Sequence, residues 1–292
     1  MTPVIETKKL TKYYGKSRGI IDLDLSIREG DIYGFIGPNG AGKSTTIRSL
    51  LGLIKPTSGN GTVLGYDCVK EKTRILERIG YMPSEAMFYS GMRVGEVIAF
   101  SASLHRQDCK QEAQRLCERF ALDKKKKIEE LSLGNRKKVS IICAMQHKPD
   151  LYILDEPTSG LDPLMQHEFF ELIHERNKEG ATIFLSSHVL SEIARHCNNA
   201  AIIKDGRLVT ANAVEELTRT SARKVVLQGV DQVPEISGIK DGETGKGMVS
   251  FLYRGKMQEL IRGLQGMEIS DMTISEPDLE EIFMHYYGGE EK

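Results

Sequence analysis

Residues 37–44 read Gly37, Pro38, Asn39, Gly40, Ala41, Gly42, Lys43 and Ser44, which satisfies G-x-x-x-x-G-K-[ST] without a mismatch. Glycines let such a loop curl tightly, so that successive backbone N–H groups face phosphate oxygens. A lysine at position 43 reaches the β- and γ-phosphates as a point charge. The Ser44 hydroxyl suits Mg²⁺, a hard ion that prefers oxygen ligands. Asp31–Ile36 reads as a buried strand entering the loop, and Thr45–Leu51 as a helix leaving it with its positive dipole end under the phosphates. A strand, a phosphate loop and a helix in this order require an α/β core built around a nucleoside triphosphate.

Two further apolar runs fit that core. Leu151–Leu154 is followed at once by Asp155 and Glu156, and Ala181–Leu185 is followed by Ser186, Ser187 and His188. Continuous apolar runs that end in polar residues suit parallel strands buried on both faces, whose ligands gather at the carboxyl ends. Gly37, Asp155 and His188 are therefore expected to converge. Between them, residues from about 85 to 148 read as a helical insert. Asp205-Gly206 between two apolar runs predicts a hairpin. From about residue 213 the pattern changes to a small α+β appendix: a short helix to Thr220, strands at 224–227, 248–252 and 267–274, helix 257–264 and a last amphipathic helix at 277–287. Residues 236–247 read only as a Gly-rich stretch.

Composition narrows the function. A formal net charge of −1 argues against binding nucleic acid by bulk electrostatics. No apolar run approaches the length of about 20 residues that spans a bilayer, and the first residues lack the features of a signal peptide. A cytoplasmic location is the expectation. Cys68, Cys109, Cys117, Cys143 and Cys197 form no C-x-x-C pair, so neither a disulfide framework nor a zinc site is expected. As neighbours at a strand end, Asp155 and Glu156 are expected to point to opposite faces and to divide their tasks. Asp155 would hold Mg²⁺ through water, and Glu156 would deprotonate an attacking water. Solvated acids at a strand end are the ordinary alternative.

Taken together, Gly37–Thr45, Leu131-Ser132-Leu133-Gly134-Asn135, Leu154–Asp162 and Ser187-His188 resemble the nucleotide-binding domain of ATP-binding cassette (ABC) transporters. The resemblance covers residues 1 to about 212, with 213–292 as an accessory domain. It implies a P-loop NTPase fold of ABC type with a helical insert, and ATP and Mg²⁺ as substrate and cofactor. Tyr14 stands where the family places an aromatic under adenine, with Tyr13 the alternative. Gly37–Thr45 would hold the phosphates, and Ser44 and Asp155 the metal. Leu131–Asn135 is similar to the signature LSGGQ: Gly134 is retained, while Leu133 and Asn135 depart from it. Ser132 would cap the following helix and meet a γ-phosphate, or only cap the helix, leaving Arg136–Lys138 as a solvated face. Asp162 resembles the loop that crosses between two such domains, and His188 the histidine that contacts the γ-phosphate.

Because the family's signature closes over ATP bound by a partner, a chain with one phosphate loop implies a second ATP-binding subunit, another copy of itself, with no nucleic acid involved. The absence of a spanning run implies an integral membrane permease as partner, and a peripheral place on the cytoplasmic face of the membrane. The tail, with Leu279, Ile282, Phe283 and Tyr286 on one face, is similar to ATPase subunits of separate-permease exporters of the multidrug or antibiotic type. One departure concerns the metal. Ser84 stands where the family usually has a Gln touching Mg²⁺, and serine is too short to reach along the same path. A soluble ABC ATPase acting on nucleic acid or ribosomes, and a nucleotide-gated regulatory module with little hydrolysis, are the competing readings.

Overall fold

Three strands are buried along their whole length, and they set the architecture: Ile32–Ile36, Leu151–Asp155 and Thr182–Ser187. The computed structural model describes residues 3–85, 87–89, 91–218, 222–275 and 277. The chain divides into two compact units, Met1–Val214 and Glu215–Lys292.

In the first unit, strands β1 (Ile5–Tyr14), β2 (Ser17–Leu23) and β3 (Ser26–Ile27) precede β4 (Ile32–Ile36) and helix α1 (Lys43–Leu50). Then come β5 (Ser58–Val63), β6 (Tyr66–Asp67), α2 (Lys72–Leu76) and β7 (Ile79–Met82). Helices α3 (Val94–Leu104), α4 (Lys110–Arg119) and α5 (Leu133–Met145) follow, and then β8 (Leu151–Asp155), α6 (Pro163–Lys178), β9 (Thr182–Ser187) and α7 (Leu190–His196). The unit closes with β10 (Asn199–Lys204) and β11 (Arg207–Ala213).

The central sheet has the order β11-β10-β4-β9-β8-β7. Every neighbouring pair from β10 to β7 is parallel, and only β11 runs antiparallel. The fully buried strands thus occupy its middle, where both faces are covered and no solvent-facing side is needed. The hairpin turns through Asp205 and Gly206, both at positive φ (52° and 75°), the conformation of a type I′ turn.

A second sheet, β2-β1-β5-β6 with β3 on β1, is antiparallel and was not legible as such. β1 mixes lysines and threonines with its apolar residues, and its pairing with β2 slips between Leu10, Lys12 and Tyr13, so no clean alternation survives in the sequence. Ile5, Leu10 and Val63 from this sheet pack with Ile47 and Leu50 of α1 and with Leu151 and Ile153 of β8 in one core.

The insert is fastened to α6 by charge. Arg176 is 1% exposed and meets Glu112 of α4 and Glu179, the latter at 2.9 Å. Arg119 of α4 reaches Glu168 at 3.1 Å and Glu175 at 2.7 Å. Burial opposes ionisation of Glu112, but Arg115 and Arg176 hold its carboxyl below the usual range. The alternative of a solvated face at Arg136–Lys138 fails at its middle residue: Lys137 is buried, at 3% exposure, while Arg136 is exposed.

In the second unit, α8 (Val214–Thr218) is followed by β12 (Arg223–Gln228), β13 (Ile239–Gly245), β14 (Met248–Tyr253), α9 (Met257–Gly263) and β15 (Asp271–Ser275). They form a sheet of order β13-β14-β12-β15. Val225, Leu227, Val249, Phe251 and Tyr253 line its core face, against Leu260 and Leu264 of the α9 region. The Gly-rich stretch is strand β13, an edge whose register shifts between Lys240 and Glu243. The strand expected from 267 begins only at Asp271. The last amphipathic helix expected from the sequence falls almost entirely outside the described residues.

Two histidines are held neutral by burial. His147, stacked on His105 at 3.6 Å, bonds the Ile79 carbonyl at 3.1 Å, and burial pushes it down to about 4. His196, stacked on Phe170 at 3.8 Å, is likewise pushed down to about 4, chiefly by burial. The unfolded chain protonates both near the ordinary value of 6.5 while the folded chain does not, so stability is unaffected above that pH and falls as pH drops below it. The melting temperature should fall by about 5 °C or more between about pH 6.5 and 5, before the arginine-paired carboxylates titrate. A His147→Gln variant should show a shallower fall in a pH series of thermal melts.

Candidate functional site

The carboxyl ends of β4, β8 and β9 lie side by side, since Ile36 pairs with Ser187 and Asp155 with Ser186. The phosphate loop leaves β4 and is fixed from several sides. Gly37 N–H donates to the Ser187 carbonyl at 3.4 Å, and Gly206 N–H of the hairpin turn donates to the Ala41 carbonyl at 2.9 Å. Gly42 heads α1 at φ 115°, and a Cβ there would meet Ile20 at 2.8 Å and the Gly19 carbonyl at 2.9 Å. Only glycine permits that turn in that space. A cavity of about 430 Å³ opens over the loop, lined by Pro38, Asn39, Gly40 and Gly42–Thr45 together with Arg18, Gly19, Ser84 and Glu156. A larger cavity of about 730 Å³, on the helices of the insert, carries none of these residues.

Lys43 is 6% exposed, and its Nζ donates to the carbonyls of Gly37 and Pro38, the latter at 3.3 Å. The same Nζ lies 3.1 Å from Glu156 Oε1. On the other side, His188 Nδ1 donates to Glu156 Oε2 at 2.8 Å. Glu156 is thus held between an ion pair with Lys43 on one carboxylate oxygen and a hydrogen bond from His188 on the other, from elements that follow separate strand ends. Its position does not follow from strand alternation, as the sequence implied. β8 ends at Asp155, and Glu156 takes a left-handed conformation (φ 49°) that directs the two neighbouring acids to different partners.

Asp155 is fully buried, and Ser186 Oγ donates to its Oδ1 at 2.7 Å. Ser186 Oγ also accepts the Glu156 N–H at 3.0 Å. Asp155 Oδ2 is buried without a hydrogen-bond partner. A buried carboxylate oxygen left open beside a phosphate loop fits a hydrated divalent cation held partly by substrate oxygens. No cluster of three or more His, Cys, Asp or Glu side chains that could hold a metal ion occurs among the described residues.

Other expected residues lie apart from this cavity. Ser132 caps α5, its Oγ accepting from Asn135 N–H at 3.4 Å. A Cβ on Gly134 would meet the Gly160 carbonyl at 2.9 Å, so the signature turn rests on the bend before Asp162. Asp162 in turn caps α6 through Met165 N–H at 3.0 Å. Ser132, Gly134 and Asp162 do not line the phosphate-loop cavity. Leu133 beside them is 71% exposed. Tyr14 is 47% exposed; its hydroxyl lies 3.5 Å from Thr45 Oγ1 at the loop's helix, and Lys12 Nζ lies over its ring, 5.4 Å from the centroid.

Sequence reasoning missed several participants. Ser186 was read only as context for His188, yet it joins both acids. Glu192 accepts from Thr158 at 3.0 Å and from Ser187 at 2.9 Å, tying the segment after Glu156 to the end of β9, and burial pushes its carboxyl up. Lys137 donates to the Ser84 carbonyl at 2.8 Å, and burial pushes it down to about 8 against the opposing charges of Asp155 and Glu156. Polar residues at the ends of β8 and β9 were the available signal for the first two. No local pattern signals the third.

A family model described as "ABC transporter" matches residues 20–159. The bacitracin transport ATP-binding protein BcrA of Bacillus licheniformis is 36% identical over 303 residues, spanning 99% of this chain and 99% of its own. The linearmycin resistance ATP-binding protein LnrL of Bacillus subtilis is 28% identical, spanning 98% of each chain. A solved structure of an ATP-binding subunit of an ABC transporter superposes with a TM-score of 0.69 at 31% identity, covering 74% of this chain and 92% of its own.

The double role of Ser186 yields a test. Ser186→Ala leaves one buried Asp155 oxygen and the Glu156 N–H without their partner. Urea unfolding should register a loss of about 2 kcal/mol, and ATP turnover should fall with it.

Proposed function

The chain belongs to the ABC transporter family, as one of its ATP-binding proteins, and from that premise we propose that it hydrolyses ATP as the motor of an exporter whose channel is a separate permease. The observation that carries the mechanism is the position of Glu156 between Lys43 and His188. Both partners are groups that an incoming γ-phosphate attracts. Lys43 and His188 turn to the phosphate as ATP enters, and the Glu156 carboxylate is released to take a proton from water. The water oxygen then attacks the γ-phosphorus, the bond to the β-phosphate oxygen breaks, and ADP leaves as the second product beside inorganic phosphate.

Gly37–Thr45 cradle the phosphates through backbone N–H groups and the head of α1. Ser44 and Asp155 would hold Mg²⁺, which when bound neutralises phosphate charge. Tyr14 offers its face to adenine. Ser132, Gly134 and Asp162 stand apart from their own chain's loop, and in this reading they complete the site of a second copy, so that two ATP molecules lie between two chains. Closure is driven by phosphate charge meeting donors from both copies, and is undone when the γ-phosphate departs.

The relatives named for bacitracin transport and linearmycin resistance support export of an antibiotic-like cargo. Among the described residues no helix is long and apolar enough to cross a membrane. A permease partner at the cytoplasmic face of the membrane, engaged through the helical insert, meets the need for a channel. Residues 1–212 act as the motor and 213–292 as an accessory domain.

Glu156→Gln should lower kcat by about a hundredfold or more and trap an ATP-bound dimer, read by light scattering at saturating Mg·ATP. A variant that stays monomeric while binding ATP contradicts the shared-site mechanism. Wild-type turnover no higher than that of Lys43→Ala favours a regulatory module instead.

A further inference from the structure

Lys137 is a buried cation that the scheme above leaves unused. It sits on α5, the helix that Ser132 caps, and only 3% of it is exposed. Burying an ammonium is costly unless acceptors and charges compensate. The compensation here is specific: Nζ donates to the Ser84 carbonyl at 2.8 Å, and the charges of Asp155 and Glu156 act on it in the same direction. Ser84 lies just beyond β7 and lines the phosphate-loop cavity with Lys43 and Glu156. A single charge-assisted bond therefore joins the helix of the signature turn to the main chain of the cavity wall. Its acceptor is a carbonyl, so the link is indifferent to the side chain at position 84. The residue that makes it is Lys137.

We propose that Lys137 is a positioning residue for hydrolysis: its ammonium fixes the Ser84 main chain beside Glu156 and makes the cavity wall follow any movement of α5. The proposal rests on the ATPase reading above, and it explains how a short side chain is tolerated at position 84. When α5 moves as its Ser132 end engages a neighbouring ATP, the bond carries that movement to the wall that faces the attacking water. Lys137 touches no reacting atom; it acts through the loop.

Amide hydrogen exchange on the full-length, nucleotide-free chain tests the tie without any turnover. Lys137→Met should speed exchange in the peptide spanning 79–85 by about tenfold, the order expected when one charge-assisted hydrogen bond is lost. Lys138→Met, which removes the neighbouring charge on the same helix, should leave that exchange unchanged, and Lys137→Arg should restore most of the protection. In steady-state assays Lys137→Met should lower kcat about tenfold while KM for ATP stays within about twofold, with recovery in Lys137→Arg. If Lys137→Met fails to fold, Lys137→Gln carries the same comparisons. Exchange and kcat at wild-type levels in Lys137→Met, or equal effects from Lys138→Met, overturn the proposal. Wild-type turnover at the level of Lys43→Ala would overturn the hydrolysis reading instead, and the exchange comparison would still decide whether the tie exists.

Discussion

Glu156 is clasped between an ammonium from the helix after β4 and an imidazole from the end of β9. That contact exists because the parallel sheet brings three strand ends to one edge, and because Glu156 turns left-handed where β8 stops. An unengaged carboxylate next to a phosphate loop would repel the anion the loop is built to receive. Pairing it with the Lys43 ammonium and an imidazole N–H satisfies that carboxylate while the pocket is empty. In the proposed mechanism the same partners turn to the arriving phosphate, so substrate entry and release of the base would be one event.

The rest of the first unit serves that edge. Ser186 and Glu192 bind the ends of β8 and β9 to the segments that follow them, so the acids cannot drift relative to the loop. The insert is held differently. A charged cluster joins α4 to α6 around the buried Arg176, and a buried charge tolerates the loss of its partner poorly. The insert is thus held by a charged fastening between α4 and α6 and, at α5, by buried apolar residues together with the bond from Lys137 to the Ser84 carbonyl.

Much of this was legible in the residues. The phosphate loop is a short-range motif, and β4, β8 and β9 announce themselves as unbroken apolar runs because both of their faces are covered. Asp205-Gly206 specified its own turn. What stayed hidden depended on partners far along the chain. β1 and β2 pair with slips in register, so the alternation that marks a strand is blurred. β13 is an edge strand rich in small and charged residues, and its identity comes from β14 rather than from itself. Arg136–Lys138 looked like an ordinary basic surface, because the carbonyl that draws Lys137 inward is 53 residues away.

The hairpin between β10 and β11 also matters beyond its own strands. Gly206 gives its N–H to Ala41 in the phosphate loop and accepts at its carbonyl from Ile21 N–H of β2 at 2.7 Å. One turn at the antiparallel margin of the central sheet is thus a rivet through the nucleotide loop and the neighbouring sheet. Sheet margins fray before sheet centres. The pocket therefore inherits its mechanical sturdiness from a peripheral ribbon that carries no chemistry, and loosening that ribbon would blunt the enzyme while every catalytic side chain remained intact.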